Sequence, residues 1–125
     1  MMGAMRALWC ALLVVLCVPA ASAQYETVRL SDALTARSLE GIVTDRNGAP
    51  VVGATVQLCT TDWKSCGTQS DAVTNADGKF AVAAKEHNKL YYLRIMRDTF
   101  DPLEFKVHLS RYSSKQLRVS MTVAS

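Results

Sequence analysis

Histidine, cysteine and tryptophan are all scarce in this 125-residue chain, and the few that occur do not form a reactive set. The two histidines, His87 and His108, lie on separate segments, and neither belongs to a nucleophile–base motif. There is no G-x-S-x-G elbow, no H-E-x-x-H, no P-loop and no glycine-rich dinucleotide fingerprint. A calcium loop needs a dense run of oxygen ligands. Asp98 and Asp101 around Phe100, and Asp71 and Asp77 around a turn, fit ordinary turn chemistry better. Lysine and arginine are dispersed rather than blocked together, which argues against nucleic acid as a partner. The expectation is therefore a protein without catalytic residues, cofactor or metal.

Long apolar runs are also lacking, with one exception at the N-terminus. Arg6 precedes an unbroken run of 12 residues, Ala7 to Val18, followed by Pro19 and the small residues Ala21-Ser22-Ala23. This is the charged, apolar, small-residue order of a cleaved secretory signal covering residues 1–23. A membrane-spanning helix needs about 20 apolar residues, so a retained anchor is the weaker alternative. Lipid attachment at Cys17 is disfavoured by the bulky Leu16 before it. The chain is expected to be exported, periplasmic or extracellular, with no transmembrane anchor after cleavage. Loss of Arg6 leaves 13 Lys/Arg against 11 Asp/Glu.

Cys59 and Cys66 are the cysteines that remain, with six residues between them. In an exported domain the simplest reading is a disulfide closing "CTTDWKSC". A ring this short confers about 2–3 kcal/mol by loop entropy. The spacing is not the C-x-x-C of a redox site.

From Leu39 onward, apolar and polar residues alternate with a period of two. Strands are expected near 39–45, 51–59, 68–74, 79–84, 89–97, 103–109 and 115–123. "LEFKVHL" would bury Leu103, Phe105, Val107 and Leu109 and leave Glu104, Lys106 and His108 outside. "LRVSMTV" would bury Leu117, Val119, Met121 and Val123. Asn47-Gly48 and "NADG" at 75–78 supply tight turns. The pattern predicts an all-β fold, a seven-stranded antiparallel β-sandwich, over residues 39–125. Residues 24–38 form an N-terminal extension that adds either a strand or a helical turn.

Two stretches carry a resemblance. "GIVTDRNGAPVVGATVQL" meets the pattern G-x-V-x-D-x-x-G-x-P-V-x-G-A-x-V through Gly41, Val43, Asp45, Gly48, Pro50, Val51, Gly53, Ala54 and Val56. "TNADGKF" adds Thr74, Gly78 and Phe80. The chain resembles the carboxypeptidase regulatory-like domains. That resemblance implies a transthyretin-like (prealbumin-like) sandwich of the kind grouped with carbohydrate-binding-like folds. Thr99 stands where such domains usually have glycine before Phe100. The transthyretin-like hydroxyisourate hydrolases end in Tyr-Arg-Gly-Ser and carry early histidines. This chain ends "MTVAS" and has no histidine before His87, so that activity is not expected. The motif residues are turn and core residues and name no ligand.

Two features are candidates for binding. Trp63, on the cross-linked loop, would either stand proud of the surface or fold back over the sandwich edge. The outward face of the last three strands carries Tyr92, Arg94, Met96, Lys106, His108 and Arg118. This mildly basic face would suit an acidic partner, or would simply be solvated. The functional expectation is a non-catalytic exported binding or accessory module for a protein or carbohydrate in the envelope. The alternative is a structural subunit of an envelope or surface assembly. Intact-mass analysis of exported protein is expected to find a chain beginning at Gln24. Residues 1–23 retained in a membrane fraction would contradict this.

Overall fold

The computed structural model describes residues 24–66, 72–84 and 86–124. The expected leader, and the first part of the strand expected at 68–74, lie outside those residues. Nine strands are present among them: β1 (Val28–Arg29), β2 (Leu34–Ala36), β3 (Leu39–Thr44), β4 (Thr55–Cys59), β5 (Ala72–Val73), β6 (Lys79–Val82), β7 (Lys89–Met96), β8 (Leu103–Leu109) and β9 (Leu117–Ser120). They form two sheets. The larger runs β1-β8-β7-β4-β5, with β2 also on β8, and the smaller runs β6-β3-β9.

The seven expected strands correspond to β3–β9, and the all-β sandwich stands. The pairing, however, is mixed rather than wholly antiparallel. The extension supplies β1 and β2, which run one after the other along a single edge of β8 and parallel to it. β3 and β9 are parallel as well. Gly41 allows that close pairing, since a Cβ there would come 2.5 Å from the Leu117 carbonyl oxygen.

Alternation fills the space between the sheets. Leu93, Ile95, Phe105 and Val107 from the larger sheet meet Leu39, Val43, Phe80 and Leu117 from the smaller. Each of these side chains leaves water almost completely, the main favourable term for such a layer. Val123 departs from expectation. It lies beyond the end of β9, is exposed, and bridges Phe100 at the sandwich end.

The strand expected over 51–59 begins only at Thr55. Between Val51 and Ala54 the chain steps from the smaller sheet to the larger, and Gly53 takes the left-handed backbone (φ 75°) that this step needs. Thr74, buried, secures the crossing. Its hydroxyl donates to the Val51 carbonyl (2.6 Å) and accepts from the Ala54 N–H (2.8 Å). Its backbone N–H donates to the Ala54 carbonyl, and its carbonyl accepts from Gly53. Thr74 thereby pairs the Val51 and Ala54 carbonyls and the Gly53 and Ala54 N–H groups without water.

The Thr99–Phe100 turn keeps the left-handed shape a glycine would take, with Thr99 at φ 74°. A β-branched residue there carries backbone strain.

Thr74→Val preserves shape and removes both side-chain bonds. It is expected to lower unfolding free energy by about 2–4 kcal/mol, because a buried donor and a buried acceptor lose their partner. Urea unfolding measures this, and a change below about 0.5 kcal/mol would contradict the role given to the hydroxyl.

Candidate functional site on the outer face of the larger sheet

The strand register sets the outward side chains in rows. Arg29, Glu104, Arg94 and Gln57 form one row across β1, β8, β7 and β4. Lys106, Tyr92 and Cys59 form the next. Glu104 is on the expected face but not in solvent: its side chain is 2% exposed. Arg29 donates from Nε and Nη2 to Glu104 Oε1 at 3.0 and 2.7 Å. Arg94 donates from Nε and Nη2 to Oε2 at 2.8 and 2.6 Å. Each carboxylate oxygen is therefore held by two charge-assisted bonds from one guanidinium, and such bonds are stronger than those between neutral groups. Burial by itself would raise the Glu104 pKa. The hydrogen bonds and charge of Arg29 and Arg94 outweigh it, and the carboxyl titrates below its ordinary value.

Over this row lies the disulfide loop. Cys59 and Cys66 are bonded, as the sequence predicted. Within the ring, Thr60 N–H donates to the Ser65 carbonyl and Ser65 N–H to Thr60 Oγ1, closing the neck. A single 3-10 turn, Thr61–Trp63, crosses the top. Asp62 and Trp63 both have left-handed backbones (φ 60° and 54°), a conformation that non-glycine residues adopt at a cost.

Trp63 does not stand proud of the surface. It is 7% exposed, and its Nε1–H donates to the Leu93 carbonyl at 3.0 Å. Its ring meets Tyr92 edge-on at 5.0 Å between centroids, and the Arg29 guanidinium lies 4.2 Å from its centre. Arg94 also donates to the Trp63 carbonyl. The physical reason is geometric. Cys59 opens the ring from the outer face of β4, beside Tyr92, so closing it lays the loop down on β7.

Among the residues singled out in the sequence, the structure gathers Trp63, Tyr92, Arg94 and Lys106 on one face. Arg118 is not among them. It sits on β9 in the smaller sheet, level with Ile42 and Lys79. Arg94 is committed to Glu104 and is not free to meet an acidic partner. Arg29 and Glu104, which hold this face together, are not among the residues the sequence pattern points to for binding. The Asp98–Asp101 turn makes Arg94 and Glu104 facing residues, so that pair was open to discovery. Arg29 was not, because nothing in residues 24–38 announces where they pair. Among the described residues, no group of three or more His, Cys, Asp and Glu is placed to hold a metal ion. No helix there is long and apolar enough to cross a membrane.

The two sheets packed over one core make this a small β-sandwich domain. Residues 38–122 match the model of the carboxypeptidase regulatory-like domain, and the chain belongs to that family. No curated protein matches the chain.

Glu104 lends stability only while ionised. Its contribution is complete above its unfolded pKa, near 4.5, and is lost as pH falls through the lower folded value. Glu104→Gln is expected to cost about 2–4 kcal/mol at neutral pH, less than for a fully buried pair because Arg29 remains half in solvent. Denaturant unfolding of both proteins across pH 2.5–7 (roughly the carboxylate range) should show the gap narrowing at the acid end. A gap unchanged by pH would contradict the ion-pair assignment.

Proposed function

We propose that the chain is a non-catalytic exported recognition module whose partner is a protein or a carbohydrate of the cell envelope. One observation supports this above the others. The outer face of the larger sheet is fixed before any partner arrives, by the Arg29–Glu104–Arg94 row beneath and the disulfide loop above. A surface that has already lost its freedom gives up little entropy on binding. Its catalytic potential is low for the same reason: the carboxylate is saturated and the tryptophan donor is spent. Lys64, exposed next to Trp63, and Lys106, opposite Tyr92, supply the free positive charge of this platform, with Trp63 packed edge-on against Tyr92. The disulfide is consistent with an exported location.

The alternative, a structural subunit of an envelope or surface assembly, draws support from exposed apolar side chains at one end of the sandwich, Tyr25, Val52, Val73 and Met96.

Binding of the purified chain to a glycan array and to fractionated envelope proteins tests the reading when paired with charge reversals. Lys64→Glu with Lys106→Glu is expected to weaken a specific partner by at least about fivefold, the effect of losing a contributing contact. Arg118→Glu, on the other sheet, should leave it unchanged. Equal sensitivity to Arg118 would contradict the platform. Turnover of a substrate by the chain would contradict the non-catalytic reading.

A further inference from the structure

At the end of the sandwich away from the disulfide loop, a cleft of about 480 Å³ opens between the extension and the β7–β8 turn. Tyr25, Thr55, Met96 and Phe100 line it together with the charged Arg97 and Asp98. Tyr25 and Met96 are 54% and 43% exposed, so the apolar surface faces outward rather than into the core.

Arg97 is held in place. Its Nε donates to the Val52 carbonyl at 2.8 Å, and its guanidinium lies over Gly53, where a Cβ would stand 3.6 Å from Nε. That bond uses one of five donors, and among the described residues the terminal nitrogens have no other partner. Asp98, next in sequence, is exposed and pairs with no cation among the described residues, Arg97 included. Two opposite charges thus line one cleft, beside its apolar side chains, without neutralising each other. The ligand that complements both carries both signs.

We propose that this cleft binds a peptide segment of a partner protein, one presenting a large apolar side chain between an acidic and a basic residue. The apolar side chain fills the space between Tyr25, Met96 and Phe100. The acidic residue meets the fixed guanidinium of Arg97, and the basic residue meets Asp98. A neutral glycan fits less well, because it carries no charge for the unpaired Arg97 guanidinium and the Asp98 carboxylate to meet. This inference rests on the recognition-module reading and adds a second surface to it. The site depends on Tyr25, which arrives with the extension and whose hydroxyl accepts from the Thr99 N–H at 3.4 Å.

The test is a 1H–15N titration of the purified chain with the blocked tripeptide acetyl-Glu-Phe-Lys-amide. The expected result is saturable shifts at Gly53, Thr55 and residues 96–100. Binding should weaken at least about fivefold with acetyl-Glu-Ala-Lys-amide, with acetyl-Gln-Phe-Gln-amide, and in Tyr25→Ala or Asp98→Asn protein. Arg97→Lys should not rescue, since a lysine lacks the planar fork that holds Val52 and a carboxylate together. Tyr25 and Asp98 are exposed, so these variants should fold, and an unchanged spectrum elsewhere confirms it. No saturable shift, shifts confined to the Trp63 face, or shifts produced by oligosaccharides but not by the peptide would each overturn the proposal. So would dilution-dependent shifts at the cleft without peptide, which would mark it as a contact between copies. Shifts on the Trp63 face alone would leave the recognition-module reading standing.

Discussion

Glu104 sits on a sheet face that otherwise meets water, yet its own carboxylate is almost wholly covered. A charge in that position must be neutralised locally, because stranding it would cost several kcal/mol. Arg94 reaches it from the neighbouring strand, and Arg29 from a segment far away in sequence. The second contact gives β1 a reason to lie along β8. It also places the Arg29 guanidinium over the Trp63 ring, which gains a cation contact. The disulfide then limits how far the covering loop can move. Charge, aromatic ring and cross-link depend on one another, and no one of them explains the face alone.

Much of the sandwich was legible in the sequence because alternation and turn chemistry are local. β3 to β9 follow from runs such as Leu103–Leu109 and from turns such as Asn47-Gly48, whose Asp45 carboxylate accepts from the N–H groups of Asn47 and Ala49. What local pattern does not carry is pairing. The parallel partnership of β3 with β9, and of β1 and β2 with β8, depends on contacts between distant residues. Alternation alone puts Arg118 and Tyr92 on outward faces without separating their sheets, since period two fixes a face of a strand but not its sheet. The alternation that suggests a buried Val123 continues past Ser120, but backbone pairing with β3 ends there.

The candidate site shows the same division. Trp63 and the cysteines were visible as residue types on a short loop. The loop's direction follows from Cys59 facing outward on β4 beside Tyr92, a matter of register. Once it lies down, the tryptophan turns from a free recognition group into a support. The two surfaces differ in kind as a result. The Trp63 face is a rigid platform with its central charges already matched, whereas the cleft near Tyr25 retains unpaired charge and exposed apolar surface.

The covering of the ion-pair row by Trp63 is most directly tested at the indole N–H, which donates to the Leu93 carbonyl. Hydrogen exchange of that single proton, followed by NMR, should be strongly slowed relative to free tryptophan in the native protein and accelerate when the disulfide is reduced. Exchange at the free rate with the disulfide intact would mean that the ring stands in solvent and that the platform is not built as described.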